Sequence, residues 1–306
     1  MAFTNKDVMA LREKTGVGMM DCKKALQESD GDVEKAIDYL REKGLAKQAK
    51  KASRVAAEGM AYATVDYDKK VGVVVEVNSE TDFAAKSDKF IEFVKEIAAV
   101  IINENPADVD ALLACSVNGM TVADLLRDKV MVIGENLSIR RFVRYEGDCV
   151  AYVHGGGRIG VLVKFEADAA ASGSEALIEC GKDIAMQIAA LNAAYLNEAS
   201  VPAEVLEHEK EVQLALIKND PKNANKPEAV LEKMITGKMR KYFEENCLVN
   251  QAFVKDGNLT VAQYVEQQAK SVGGAMELTA FVRFEKGEGI EKREDDFASE
   301  VASMVK

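Results

Sequence analysis

The feature that most constrains this chain is an internal repeat. Segments beginning near residues 58, 71 and 95 recur about 88 residues later, and segments beginning near residues 121 and 142 recur about 139 residues later. The clearest example is Phe142-Val143-Arg144-Tyr145-Glu146, which returns as Phe281-Val282-Arg283-Phe284-Glu285. Offsets that stay constant and keep one order predict two copies of a single structural unit. The difference between the two offsets predicts an insertion of about 51 residues in the second copy.

Local patterns give each copy both strands and helices. Residues 60–66 alternate loosely and residues 71–77 are rich in β-branched side chains, which predicts a β-hairpin. Residues 88–102 and 121–130 carry apolar side chains at helical spacing, and residues 139–145 return to a strand pattern. The predicted fold class is therefore α+β, with two related core subdomains.

Residues 200–250 hold the predicted insertion. Residues 203–218 and 228–246 are amphipathic and are separated by proline-containing turn residues, which predicts an antiparallel helical hairpin of coiled-coil type. Ser200 is the predicted N-cap, and Pro202 lies near the first helical position. Because a projecting hairpin with apolar positions invites a second copy of the chain, a homodimer is one expectation.

The N-terminal residues predict a small three-helix module. Thr4 and Asp7 form a capping-box pattern at the first helix, Asp30-Gly31 stops the second, and Gly44 is predicted to end the third as a C-cap residue. The predicted boundaries are residues 1–54 for this module and a linker, 55–145 for the first core subdomain, 146–199 with 251–285 for the second, 200–250 for the insertion, and 286–306 for a C-terminal module.

Charge and cysteine content bear on the class of function. The formal net charge of −11 argues against general nucleic-acid binding, which needs basic surface to displace counterions. The five cysteines have no CxxC spacing and there are only two histidines, so reduced thiols and no bound metal are expected. The N-terminus lacks a signal core and the apolar runs fall short of about 18–20 residues, so a cytoplasmic location is expected.

One basic stretch leaves an alternative open. Residues 41–54 contain six basic residues and one acid, which would suit an RNA-binding or ribosome-associated module. No aromatic side chain is interleaved to stack on bases, so a solvated helical linker is the favoured interpretation.

A glycine-rich segment raises the possibility of an enzyme. Gly155-Gly156-Gly157-Arg158-Ile159-Gly160 fits the GxGxxG pattern, but strand-like residues flank it on both sides, whereas a dinucleotide fingerprint opens a helix. A hairpin turn is therefore predicted. His154 would act as a general base only beside a nucleophile or carboxylate, and the sequence singles out neither. No GxxxxGKS/T motif occurs, so the chain is not expected to bind GTP by a P-loop, and no cofactor is expected.

An aromatic residue inside a polar segment is the more unusual feature. Thr81-Asp82-Phe83 follows the apolar strand pattern and precedes a helix that begins near Ser87, so a loop is predicted there. Phe83 either folds back onto the core or projects as an apolar wedge beside the Asp82 carboxylate. The second arrangement would suit insertion into a partner protein close to a charged site.

Taken in order, these motifs resemble the elongation factor Ts family. The resemblance spans the whole chain and is carried by GVGMMDCKKAL at 16–26, NSETDFAAK at 78–86, HGGGRIGVL at 154–162, FVRFE at 281–285 and GEGIE at 287–291. One departure is Ala84, where the family commonly has valine. This change reduces the apolar surface of the segment and leaves Asp82 and Phe83 in place.

The resemblance implies a ubiquitin-associated-like N-terminal module, two related core subdomains, a protruding helical hairpin and a C-terminal helix. It also implies a protein that is not an enzyme. Members of the family bind elongation factor Tu, a GTPase, and promote release of its GDP. Carried over to this chain, Phe83 would wedge into the GTPase and disturb its magnesium and phosphate site, with Thr81, Asp82 and Ala84 beside it.

The resemblance assigns further contacts to other parts of the chain. The N-terminal module and the C-terminal helix would grip the GTPase domain of elongation factor Tu. The second subdomain would contact another domain of the partner through the turn formed by His154, Gly155, Gly157 and Arg158.

Overall fold

Helices and antiparallel strands are mixed along the chain, which confirms the predicted α+β class. The computed structural model describes residues 3–220 and 226–291. The C-terminal helix predicted within 286–306 lies, from residue 292 onward, outside the described residues. In the part of the chain that the structure describes, no helix combines the length and apolar character needed to cross a bilayer.

The N-terminal module contains three helices, as predicted. These are α1 (Asn5–Thr15), α2 (Met19–Glu28) and α3 (Val33–Lys51), and they enclose a small apolar core. The capping box of α1 is confirmed, because the Asp7 carboxylate accepts from the Thr4 N–H at 2.7 Å while the Thr4 side chain accepts from the Asp7 N–H.

The first sheet has the strand order β1-β2-β5 with antiparallel pairing throughout. Its strands are β1 (Glu58–Asp66), β2 (Val71–Ser79) and β5 (Ser138–Glu146). Every residue of the central strand β2 is buried. The other elements of this half are α4 (Asp82–Ala85), α5 (Asp88–Glu104), α6 (Val109–Ala114), β3 (Ser116–Val117), β4 (Met120–Thr121) and α7 (Val122–Ile133).

Gly44 does not end the third helix, and the predicted C-cap is wrong. Helix α3 continues through Gly44 to Lys51. Gly44 is buried against α7, where an added Cβ would lie only 3.2 Å from the Arg127 side chain and 3.3 Å from that of Met131. The glycine therefore permits two helices to approach closely, a requirement that a helix-ending rule based on local sequence does not detect.

The second sheet has the order β10-β7-β6, again antiparallel. Its strands are β6 (Asp148–His154), β7 (Ile159–Ala167) and β10 (Met276–Glu285). The other elements of this half are α8 (Glu175–Leu191), β8 (Ala252–Phe253), β9 (Asp256–Thr260) and α11 (Val261–Ser271). Helix α8 packs on β6 and β7, and α11 packs on β10.

Two glycines that occupy equivalent positions in the repeat bring the sheets together. A Cβ on Gly72 would lie 2.6 Å from the Leu162 side chain, and a Cβ on Gly160 would lie 3.2 Å from the Val74 side chain. Leu162 is itself the counterpart of Val74 at the same offset, so the two contacts are reciprocal. The recurrence of glycine at these positions thus has a physical cause, since each sheet needs the space that a side chain would fill.

The segment predicted as the insertion contains two helices that pack on each other. They are α9 (Ala203–Asn219) and α10 (Glu228–Asn246). Pro202, and not the predicted Ser200, directly precedes α9. The Ser200 hydroxyl instead donates to the Asn197 carbonyl at 2.6 Å within a preceding short turn, so it is not available to cap the helix.

Candidate functional site

The segment predicted as a loop after β2 is a single helical turn, α4. Thr81 precedes this turn and caps it, since its hydroxyl accepts from the Ala84 N–H at 3.2 Å. At the other end the Ser87 hydroxyl donates to the Ala84 carbonyl at 2.7 Å. The loop prediction is therefore corrected. Side chains at both ends supply the hydrogen bonds that so short a helix lacks internally.

Phe83 projects from this turn into solvent. Its side chain is 84% exposed, more than any other large apolar side chain in the described residues. Ala84 and Ala85, on the same turn, are 8% and 5% exposed, and α4 packs against β1 and β2. Of the two arrangements that the sequence left open, the structure has the projecting one. The two alanines pack the turn against the rest of the protein, while the aromatic ring remains exposed to solvent.

A charged pair lies beside the exposed ring. The Lys86 ammonium donates to the Asp82 carboxylate at 2.6 Å. This hydrogen bond lowers the pKa of Asp82 and raises the pKa of Lys86. Asp82 therefore stays ionised at neutral pH, and the turn presents an apolar ring next to a carboxylate that is paired with Lys86.

A carboxylate from a distant part of the sequence holds the turn. Glu135 lies between α7 and β5, and it accepts from the Thr81 N–H at 2.9 Å and from the Thr81 hydroxyl at 2.5 Å. In return, the Asn136 N–H donates to the Glu80 carboxylate at 2.6 Å. Glu135 was not among the residues predicted from the sequence. No local spacing links it to Thr81, because the pair meets only when α7 is packed.

The second predicted turn joins β6 to β7, so a strand and not a helix follows the glycines. Gly155, Gly156 and Gly157 have φ values of 58°, 64° and 97°, a left-handed region that favours glycine. The His154 ring nitrogen Nδ1 lies 3.0 Å from the Tyr152 hydroxyl. The hairpin-turn prediction is confirmed, and the glycine pattern is explained by backbone geometry instead of nucleotide binding.

The members of this second turn differ in accessibility. Gly157 is buried against β1, where an added Cβ would lie 2.5 Å from the Met60 side chain, and its carbonyl accepts from the Ala61 N–H at 2.8 Å. The Arg158 side chain is 65% exposed and donates to Glu285 at 3.1–3.2 Å. Gly157 therefore shapes the turn and docks it on the first sheet, whereas Arg158 faces outward.

The end of β10 links the two turns. The Lys286 N–H donates to the Arg158 carbonyl at 2.9 Å, and the Lys286 ammonium pairs with Glu58 at the start of β1. Glu58 pairs with Ser79 at the end of β2, two residues before Thr81, so the Lys286–Glu58 ion pair lies beside the first turn. The fold thus places both predicted turns at one end of the molecule.

A buried carboxylate, Glu76, binds residues of β5 and the residue Gly287 that follows β10. Glu76 of β2 has no solvent exposure and accepts from Asn78 at 3.1 Å, Arg140 at 3.0 Å, Arg141 at 2.6 Å and the Gly287 N–H at 2.8 Å. Burial alone would raise its pKa, but the combined hydrogen bonds outweigh burial and hold the pKa below its usual value. The sequence contained an indication of this site, because Glu76 is a single acid within the apolar run of residues 71–77.

The basic stretch 41–54 lies largely within α3 and contacts this protein itself. The Lys43 ammonium lies 5.3 Å from the centre of the Tyr39 ring, and the Arg54 guanidinium is 3.4 Å from Glu80. The Lys51 ammonium donates to the Gly134 carbonyl. Several of its charges are thus already engaged within the chain.

The fold and these turns define a class of protein, namely an α+β protein whose candidate site is an exposed aromatic residue on a helical turn that is hydrogen-bonded at both ends. A family model described as Elongation factor TS matches residues 80–288. An Elongation factor Ts of Clostridium perfringens is 49% identical over 306 residues and 99% of each chain is covered. One of Trichlorobacter lovleyi is 47% identical over 312 residues, covering 100% of this chain and 99% of the relative. One of Clostridioides difficile is 47% identical over 307 residues, covering 99% of each. The chain belongs to the elongation factor Ts family, which confirms the resemblance drawn from its motifs.

Proposed function

We propose that this protein is a guanine-nucleotide exchange factor that binds elongation factor Tu and promotes release of its GDP during translation elongation. Membership of the elongation factor Ts family supports the proposal. The structural observation that carries it is the 84% exposure of Phe83 on a turn that is held at both ends. The protein performs no chemical reaction of its own in this account, and a part in translation places it in the cytoplasm.

The proposed mechanism starts from an apolar ring that lies next to the Asp82 carboxylate, whose partner Lys86 is exposed. Phe83 inserts between elements of the GTPase, which removes its ring from water and stabilises the complex. The ionised Asp82 is carried in beside it and disturbs the magnesium and phosphate site, since a carboxylate near phosphate oxygens is repelled. Both ligands can occupy the GTPase together, but each weakens the binding of the other. This protein changes the rates at which nucleotides leave and enter the GTPase, and the final distribution of the GTPase between GDP and GTP is unchanged.

The second turn supplies a further contact in this proposal. His154, Gly155 and Arg158 face another domain of elongation factor Tu, while Gly157 holds the turn against β1. Because Lys286 ties this turn to Glu58 near the Phe83 turn, one partner can engage both at once. Two linked contacts orient the partner better than either does alone.

Release of fluorescent GDP from loaded elongation factor Tu tests the proposal. Adding this protein with an excess of unlabelled GDP should accelerate loss of the fluorescent nucleotide, and the release rate should rise with the concentration of this protein up to a maximum. Unchanged release would contradict the proposed function. Salt-sensitive binding to RNA in the same preparation would instead favour the alternative based on residues 41–54.

The helical hairpin is expected to be separable from exchange. Replacing residues 203–245 with a short glycine-serine loop keeps Leu248, which is fully buried in the second core, so the variant should fold. We expect GDP release per folded molecule to stay within about a factor of two of the intact protein. Leu216 and Val230 are 60% and 40% exposed, so any self-association should weaken in sedimentation measurements. A folded variant that no longer releases GDP would show that the hairpin acts directly in exchange.

A further inference from the structure

A helix of four residues does not hold its own shape. In an isolated chain the first hydrogen-bonded turn fixes several dihedral angles for a single bond, so nucleation is unfavourable. Within α4, the caps at Thr81 and Ser87 supply bonds, and the buried Ala84 and Ala85 supply packing. The direction in which Phe83 projects therefore depends on whatever fixes the capping residue Thr81.

Glu135 fixes Thr81 through two hydrogen bonds to one carboxylate. The Thr81 N–H reaches Oε2 at 2.9 Å and the hydroxyl reaches Oε1 at 2.5 Å. A hydroxyl has one proton to donate and lone pairs to accept with, and an ionised carboxylate only accepts. Glu135 therefore sets the direction of the hydroxyl proton and leaves a lone pair for the Ala84 N–H at 3.2 Å.

The segment that carries Glu135 is itself tied to the end of α3. The Asn136 side chain donates to the Arg54 carbonyl at 2.9 Å, and the Arg54 guanidinium is 3.4 Å from Glu80. The Lys51 ammonium donates to the Gly134 carbonyl beside Glu135. The α4 turn is consequently held in a fixed orientation relative to the N-terminal module.

We infer that Glu135 is a positioning residue for nucleotide exchange, because its carboxylate holds Thr81 so that Phe83 is presented in the orientation the GTPase partner requires. Glu135 acts through Thr81 and need not touch the partner. This inference rests on the proposed exchange function and adds to it a residue outside the Thr81-Asp82-Phe83 motif.

Kinetics of Glu135→Gln test the inference. The glutamine amide keeps the size of the side chain, and its oxygen can still accept from the Thr81 N–H, but its NH₂ then faces the Thr81 hydroxyl. The hydroxyl loses the acceptor for its proton and must accept from the amide instead, so its direction is no longer set by a carboxylate. We expect the maximal rate of GDP release to fall on the order of tenfold, since small misplacements of a functional group have large effects on rate. The concentration of exchange factor giving half the maximal rate should change far less. Glu104→Gln is the matched control, because Glu104 ends α5 at the β1–β2 turn, the opposite end of β2 from Thr81.

A double-mutant cycle separates positioning from a general structural effect. If Glu135 acts through Phe83, then Glu135→Gln should cause little further loss in a Phe83→Ala background. Full activity of Glu135→Gln, or a loss that simply adds to that of Phe83→Ala, would overturn the inference while leaving the proposed function in place.

Hydrogen exchange gives a readout that does not depend on the partner. The Ala84 amide bonds to the Thr81 hydroxyl, so its exchange should speed up on the order of tenfold in Glu135→Gln while amides in β2 stay protected. Unchanged protection at Ala84 would overturn the positioning claim. If the wild-type protein failed to release GDP, the proposed function would fail, and this measurement would still decide whether Glu135 orders the turn.

Discussion

Phe83→Ala is expected to reduce acceleration of GDP release roughly thirtyfold, while the free energy of unfolding changes by no more than about 0.5 kcal/mol. The ring is 84% exposed, so truncating it leaves no cavity in this protein. In the complex, a buried aromatic anchor typically contributes about 2 kcal/mol or more, which corresponds to roughly a thirtyfold change. Part of that energy distorts the nucleotide site, so the loss should appear in the release rate.

Two variants provide matched controls for this result. Phe93 has no solvent exposure, and Phe93→Ala should cost about 3–5 kcal/mol of stability because it leaves a cavity. Tyr67 is 53% exposed at the β1–β2 turn, and Tyr67→Ala should leave GDP release unchanged. Denaturant melts and release assays on all three variants distinguish the cases. Normal release per folded molecule in Phe83→Ala would contradict the wedge assignment.

Glu76→Gln is expected to lower the free energy of unfolding by about 2–4 kcal/mol at pH 7, measured by denaturant melts. Every group around the carboxylate donates a hydrogen bond, so the glutamine NH₂ would face other donors and one of them would lose its acceptor. The control is Glu288→Gln. The Glu288 side chain is 47% exposed and lies 3.0 Å from the Arg141 guanidinium, so the loss of this exposed ion pair should cost less than about 1 kcal/mol. Equal effects of the two substitutions would contradict the anchoring role of Glu76.

The effect of Glu76 should also depend on pH in a fixed direction. Its pKa is lower in the folded protein than that of an ordinary glutamate, because the hydrogen bonds to the carboxylate outweigh its burial, so the folded state favours the ionised form. The stability that it contributes is present above the pKa of the unfolded chain and is lost as pH falls through the folded pKa. The stability difference between the wild-type protein and Glu76→Gln should therefore be constant near neutral pH and shrink below about pH 4. A difference that grows as the solution is acidified would contradict this account.

The features that sequence predicted are those set by local pattern. The hairpin of β1 and β2, the capping box of α1, and the turn at Gly155–Gly157 depend on residues close together in the chain, and the structure has all of them. The repeated glycines were recognised as a repeat, but their physical cause appeared only with the packed sheets. Gly72 and Gly160 are needed where one sheet meets the other.

The features that sequence missed depend on packing between distant segments. Glycine often ends a helix, yet Gly44 lies inside α3, where its lack of a side chain allows the close contact with α7. The direction of Phe83 stayed open because Ala84 and Ala85 seat the turn and Glu135 fixes its cap, and neither effect has a local signature. Glu76 did carry a signal, as a lone acid in an apolar strand, but besides Asn78 of its own strand its donors come from β5 and from beyond β10.

The affinity of this protein for elongation factor Tu, measured by calorimetric titration with the GTPase either nucleotide-free or saturated with GDP, tests the central claim most directly. A factor that promotes GDP release must weaken GDP binding, and thermodynamic reciprocity then requires GDP to weaken the binding of this protein by the same factor. We expect binding to the nucleotide-free GTPase to be at least about tenfold tighter, which corresponds to about 1.4 kcal/mol. Equal affinities for the two forms would mean that the two ligands are not coupled, and would contradict the exchange mechanism proposed for the Phe83 turn.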